Sequence, residues 1–219
     1  MPKYLFINFI ILCPLILTAQ VPVRDEPRHH NVFENESVRI LDAYIAPKDT
    51  TQYHLHNTPS VFIILANCKV SSQLWGGQPQ SGANLSGTIS YDSMNTPRNH
   101  RVWNEDTVWF HVMDIELTAK TFNNRLRPLN NKSLNLIFND QAAIGYKVKL
   151  PAQGKLLLPS SQAGYLLVSL SDAVADHLIF EVIQHRIMKA GHFIWIEPGM
   201  PSSLSVNEKG ASFVLLQLK

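Results

Sequence analysis

Apolar residues recur along this chain at the spacing of strands rather than of helices. Short alternating or continuous apolar runs occupy Ser37–Ala46, Ser60–Ala66, Thr107–Leu117, Leu134–Phe138, Ile144–Leu150, Gly164–Leu170, His192–Ile196 and Ala211–Leu218. Between them stand turn signals: Pro47-Lys48-Asp49, Gly76-Gly77, Pro151-Ala152-Gln153-Gly154 and Pro198-Gly199. Many short strands broken by regular turns predict a sandwich or a barrel. Ala175 to Ala190 is long enough for a helix, but its β-branched residues assign it to strands as well. The Gly- and Ser-rich stretch Leu74–Gly87 reads as an exposed loop, with a mobile lid as the sharper alternative.

The pattern also repeats. The segment FENESVRILDAYIAPKDTTQYHLHNTPSVFIIL, from Phe33, lies over FNDQAAIGYKVKLPAQGKLLLPSSQAGYLLVSL, from Phe138. Both run strand, Pro-containing turn, strand and a second apolar run. Further on, Trp109–Leu117 lies over Ser212–Lys219. A unit of roughly 90 residues suits one eight-stranded jelly roll, so an all-β chain of two tandem jelly-roll barrels is expected. The predicted division is residues 28–118 for the first barrel, 119–132 for a polar linker broken by Pro128, and 133–219 for the second barrel.

Composition narrows the class. The 219 residues are 45% apolar, a globular value, and only 16% charged, against about 25% in a typical domain. The formal net charge is +2 and no basic stripe is visible, so nucleic acid is not an expected partner. Residues 1–20 read as a secretory signal peptide: Lys3, an apolar run from Tyr4 to Leu17, then Thr18-Ala19. That run is shorter than the ~20 residues that span a bilayer. Cleavage between Ala19 and Val21 would release a chain with no membrane segment, placed in the periplasm or outside the cell. Cys13, between Leu12 and Pro14, is a poor lipoprotein cysteine. Beyond it stands Cys68, which cannot form an intramolecular disulfide alone and reads as a buried small hydrophobe.

The chemistry lies in the histidines. His54 and His56 flank Leu55, and residues i and i+2 of a strand share a face, so two imidazoles on the inner wall of a barrel can reach one ion. His100 follows, with Asn104 four positions on. These stretches resemble the cupin superfamily. Its first motif, a turn then His-x-His, matches APKDTTQYHLHNTPSVFIIL. Its second, a Gly-led strand and turn ending His-x-x-x-Asn, matches Gly87 with TISYDSMNTPRNHRVWN. The run EPRHHNVFENESVRILDAYI resembles the opening strand of exported bacterial cupins of no assigned reaction. The resemblance spans nearly the whole mature chain and is strong over Phe33–Leu117.

The resemblance implies that His54, His56 and His100 bind a divalent transition metal, one of Fe, Mn, Ni, Cu or Zn, and that Asn104 supports them. The family's Glu ligand falls at Ser60 or Val61, neither a good ligand. Gln52, on the face of His54 and His56, and His111, on the following strand, are candidates for a fourth position. In the second half the His-x-His position falls near Leu158-Pro159-Ser160, and Ser202 or Ser203 stands where the last histidine belongs, so no ligand set is expected there. Such a chain is either a metalloenzyme acting on a small oxygen-bearing molecule, with dioxygenase- or isomerase-like chemistry, or a non-catalytic ligand-binding or structural bicupin with a vestigial metal. Cupins often pair through an edge strand, so the resemblance also implies a homodimer.

The remaining notable residues read as ordinary. His29 and His30 suit an exposed leading segment, and His177, His185 and His192 lack partner spacing. Trp75, Trp103 and Trp109 suit core or rim packing. Arg98 and Arg101 flank His100 and read as exposed turn residues, or as a means of steering an anionic substrate.

Overall fold

The structure, a computed structural model, describes residues 20–123, 125–179 and 181–219. The predicted signal peptide, but for Gln20, lies outside them. Among the described residues, ten strands form the first half: β1 (Val21–Pro22), β2 (His29–Glu34), β3 (Val38–Ile45), β4 (His54–His56), β5 (Ser60–Ile64), β6 (Cys68–Leu74), β7 (Gln80–Asn84), β8 (Ile89–Asp92), β9 (Arg98–Asn104) and β10 (Phe110–Leu117). Nine form the second: β11 (Leu134–Asn139), β12 (Ala143–Leu150), β13 (Lys155–Leu158), β14 (Tyr165–Ser169), β15 (Ala173–Ile179), β16 (Val182–Met188), β17 (Phe193–Ile196), β18 (Ser202–Val206) and β19 (Ala211–Leu218). Ala175–Ala190 is thus largely the hairpin β15–β16, as its β-branched residues predict. Among the described residues no helix is long and apolar enough to cross a membrane.

Each half closes two sheets on each other. The first pairs β1-β4-β9-β6-β7 with β2-β3-β10-β5-β8, and the second pairs β11-β12-β19-β14-β17 with β13-β18-β15-β16. The architecture is all-β, with two barrels. Leu74–Gly87 is not simply a loop. Its residues Gln80–Asn84 form edge strand β7, antiparallel to β6, because the Gly76 turn (φ 75°) reverses the chain early enough for the polar tail to pair.

Strand parity distributes the side chains. On β10, Met113, Ile115 and Leu117 face the second barrel, where they pack with Leu166, Val168, Val214 and Leu216. The alternate residues Val112 and Asp114 face the interior of the first barrel. The second barrel's interior is filled: Tyr146, Leu156, Leu158, Tyr165, Leu204, Phe213 and Leu215 form one cluster, most of them fully buried. Each such side chain contributes about 1.5–3 kcal/mol on burial. The first barrel's interior holds a smaller apolar group, chiefly Ile45, Ile64, Val70 and Phe110. Beside it lies a cavity of about 560 Å³. The repeat therefore has two outcomes: a packed core in one barrel and room for a ligand in the other.

Candidate metal centre

Strand β4 pairs antiparallel with β9 in a register that sets His54 opposite His100 and His56 opposite Arg98. The imidazoles of His54, His56 and His100 share the inner face and line the cavity. One ring nitrogen from each lies within 4.8 Å of the others. His100 Nε2 is 3.1 Å from His56 Nε2, and ring centroids are 4.7–5.0 Å apart across the three pairs.

Nitrogens facing away from this cluster are held by oxygens. His54 Nδ1 is 2.9 Å from the Gln52 carbonyl, which only accepts, so Nδ1 carries the hydrogen and Nε2 keeps its lone pair. His56 Nδ1 lies 3.3 Å from Asp114 Oδ2. That contact is out of line for a hydrogen bond. His56 Nδ1 and both Asp114 carboxylate oxygens are thus buried without a hydrogen-bond partner in the protein. A buried carboxylate lacking donors is costly alone. It would offset the charge of a cation held by His56, in the carboxylate–histidine–metal arrangement common behind metal sites. The donor set therefore fits a divalent transition ion.

Burial, then the like charges of His29 and His56, pushes His54 down to about 3. Burial, then His54 and His56, pushes His100 down to about 2. His177, in the second barrel, falls to about 4 through burial and Arg186. All three must be neutral in the fold, whereas in the unfolded chain they titrate near 6.5. Below pH 6.5 the unfolded chain therefore binds more protons. The stability linked to these groups is present above pH 6.5 and is lost as pH falls towards the folded values. With chelator present, the urea midpoint is expected to drop from pH 7 to pH 5, by up to about 1.4 kcal/mol per group for each unit below 6.5. A midpoint unchanged over that range would refute a neutral cluster.

The other predicted residues separate by strand parity and local pairing. Asn104, on the inner face of β9, is buried. Its Nδ2 donates to the carbonyls of Val108 (2.7 Å) and Ile45 (3.0 Å), while Cys68 Sγ lies 3.2 Å from its Oδ1. It braces the turn between β9 and β10, and Cys68 is buried as expected. Gln52 is exposed and offers its carbonyl to His54 rather than its side chain to the cavity. His111 is not brought to the cluster: it sits at odd parity on β10, facing out of the barrel. There it stacks on Tyr44 with centroids 4.0 Å apart, and its Nε2 lies 2.7 Å from Asp42 Oδ1. The second barrel's turn at Gly191 packs so closely that a Cβ there would stand 3.1 Å from His111 Cε1.

Arg98 and Arg101 are strand residues, not turn residues. Arg98 lines the cavity with its guanidinium 5.2 Å from the Phe62 ring centroid, and Asp92 Oδ2 is 3.1 Å from its Nη1. Arg101, at the other parity, lies against Tyr53 and Trp103 and donates to Gln73. Trp75 and Trp109 are exposed. In the second barrel Val206 meets Ala175 as Asn104 meets Val70, and Leu158 pairs with Ser202 as His54 pairs with His100. Leucine and serine thus stand where the first barrel has facing histidines.

Three residues at the site escaped the sequence reading. Asp114 could have been found, since it shares inner-face parity with Val112. His29 is not simply exposed: its side chain is 8% accessible, its ring centroid is 4.9 Å from that of His54, and it lines the cavity. Glu26, wholly buried, holds His29 Nδ1 at 2.8 Å. Burial alone would raise the Glu26 carboxyl, but the bonds from His29 and from the backbone of Arg28 and Gln52 hold it below the usual range.

The two barrels and their topology define a bicupin fold. Three solved structures illustrate the likeness. Salicylate 1,2-dioxygenase from Pseudaminobacter salicylatoxidans superposes with a TM-score of 0.63 at 10% identity, covering 89% of this chain and 77% of that one. The protein YhaK from Escherichia coli gives 0.58 at 14% identity, covering 86% and 90%. A cupin 2 conserved barrel domain protein from Leptotrichia buccalis gives 0.56 at 9%, covering 87% and 88%. No protein-family model matches the sequence, and no curated protein does. At these identities the likeness establishes the fold.

Proposed function

We propose that this chain is an exported bicupin that holds one divalent transition metal on His54, His56 and His100 and acts on a small oxygen-bearing molecule bound beside it. The observation that carries this reading is the convergence of three imidazoles on one cavity wall, backed by a buried carboxylate with no protein donor. Iron, manganese, nickel, copper and zinc all accept imidazole nitrogen, and three protein ligands leave positions open. Such an ion supplies Lewis-acid or template chemistry to a bound oxygen, or activates dioxygen.

The chain's own residues do the rest. Phe62, Ile64, Val70 and Phe110 make an apolar wall that keeps water from the ligand. Arg98 offers a fixed positive group to an oxygen-bearing substituent. Crystals of the structurally similar salicylate dioxygenase hold gentisate, which makes small oxygenated aromatics a reasonable first class to screen. Lys3 and the apolar run after it support export.

One observation favours a second reading, a ligand-binding bicupin without catalysis. Ser60, near where the family's carboxylate ligand falls, is buried and donates to the Thr58 carbonyl at 3.1 Å. The deciding experiment is elemental analysis of the purified mature protein after reconstitution with iron, manganese, nickel, copper or zinc. About one ion per chain supports the proposal, and dioxygen uptake with candidate ligands then separates catalysis from binding. No ion with any of the five metals overturns it.

Asp114 gives a further expectation. Asp114→Asn keeps the shape behind His56 but removes the charge. Metal affinity, read by competition with a chromogenic chelator, is expected to weaken about 10–100-fold with the circular dichroism unchanged. Unaltered affinity would show that Asp114 does not support the site.

A further inference from the structure

The leading segment brings a fourth histidine to the cavity, and nothing in the three-histidine reading uses it. His29 lies on β2, in the opposite sheet from β4 and β9, so it approaches the cluster from across the barrel. Its ring is 4.9 Å from that of His54 and 6.4 Å from that of His56, centroid to centroid. Its nitrogens are not among the group that lie within 4.8 Å of one another.

The tautomer of His29 follows from its partner. Glu26 Oε2 accepts from His29 Nδ1 at 2.8 Å and from the Arg28 backbone N–H at 2.8 Å. Its Oε1 accepts from the Gln52 backbone N–H at 3.1 Å and from Arg28 Nη1 at 3.4 Å. Both oxygens are occupied as acceptors, so Glu26 is a carboxylate and His29 Nδ1 carries the hydrogen. In the neutral ring, His29 Nε2 then keeps its lone pair, the state a metal requires. The same device holds His54, whose Nδ1 is fixed by the Gln52 carbonyl, and Asp114 stands likewise behind His56.

The two supports are joined. One residue, Gln52, gives its N–H to Glu26 and its carbonyl to His54, so the holder of His29 and a cluster histidine are fixed to the same short stretch of backbone. Strand β1 also runs parallel to β4, with Val21 opposite His54, stitching the leading segment along the strand that carries two of the cluster histidines. Glu26 is buried, and a buried carboxylate is costly unless it is paired, as this one is with His29.

We infer that His29, held by Glu26, is a fourth protein ligand of the metal, supplied by the leading segment in place of a carboxylate. This inference rests on the reading of His54, His56 and His100 as a metal site. Ligation brings the His29 ring into the group. Metal binding is then coupled to docking of the segment from Val21 to His29 over the barrel.

The test uses the mature chain loaded with cobalt(II) alone. X-ray absorption counts the imidazoles around the ion, and chelator competition gives its Kd. The wild type is expected to show four imidazoles. His29→Ala is expected to show three, with Kd raised more than about tenfold. His29→Asn controls for folding, because its amide still donates to Glu26 but cannot reach the ion. It is expected to match the alanine variant, with a urea midpoint in chelator near that of the wild type. Three imidazoles in the wild type, or wild-type Kd in both variants, overturns the inference while leaving the three-histidine site standing. A wild type that binds no cobalt at all overturns both.

Discussion

His54→Ala and His100→Ala are each expected to weaken binding of a divalent transition ion by about a hundredfold or more, leaving a folded chain with little metal. Changing a residue merely behind a ligand commonly costs 10–100-fold, and loss of a direct ligand should cost at least as much. The two residues face each other across the β4–β9 register, and either loss leaves two of the three imidazoles. Neither change should unfold the barrel. The rings line a cavity rather than fill a packed core, and the apolar cluster of the second barrel and the inter-barrel layer are untouched. Elemental analysis and chelator competition give the loss, and circular dichroism checks the fold. A second signature comes from linkage. His54 and His100 must both stay neutral in the fold, so removing either should flatten the fall in metal-free stability below pH 6.5. Variants that retain metal would remove these residues from the site.

Arg39→Ala is expected to destabilise the protein by about 3–5 kcal/mol, the range for breaking a buried ion pair from one side. Arg39 Nη1 donates to Glu116 Oε2 at 2.6 Å and Nη2 to Glu34 Oε1 at 2.7 Å. Glu116 is 2% exposed and lies two residues from Asp114 on the same face of β10. Burial raises the Glu116 carboxyl and Asp114 raises it further, while Arg39 opposes them. Without Arg39, two buried carboxylates face the barrel with one countercharge fewer. Glu116 then takes up a proton more readily, so the deficit should shrink as pH falls from 7 towards 5. Urea titrations of wild type and variant across that range measure it. A penalty below about 1 kcal/mol at pH 7, or one that grows on acidification, would show that the pair is not what keeps Glu116 ionised.

How much was legible depended on the range of the interaction. Strand runs, turns and the repeat are local patterns, so Val38–Ile45, Phe110–Leu117 and Ala211–Leu218 fall where the alternation places them. The stretch Gln80–Asn84 could not be read that way. It is polar and Gly-containing, and it is a strand because β6 offers an edge. His111 was a candidate for the fourth position until parity was fixed by pairing with β3 and β5. A one-residue difference in register sends a side chain to the opposite face.

The sequence by itself determined the all-β class, the two-barrel plan and the shared face of His54 and His56, because strand periodicity and i,i+2 spacing put inward residues on one face whatever the partners, while His100 joined them through the cupin resemblance. Only the tertiary structure decided what stands around the trio. Asp114 comes from β10, His29 and Glu26 from the leading segment, and the Leu158–Ser202 pair at the matching place in the second barrel emerges from its own register. Those relations join residues far apart in the chain, and no local pattern encodes which strands lie side by side or which buried carboxylate ends up behind which imidazole.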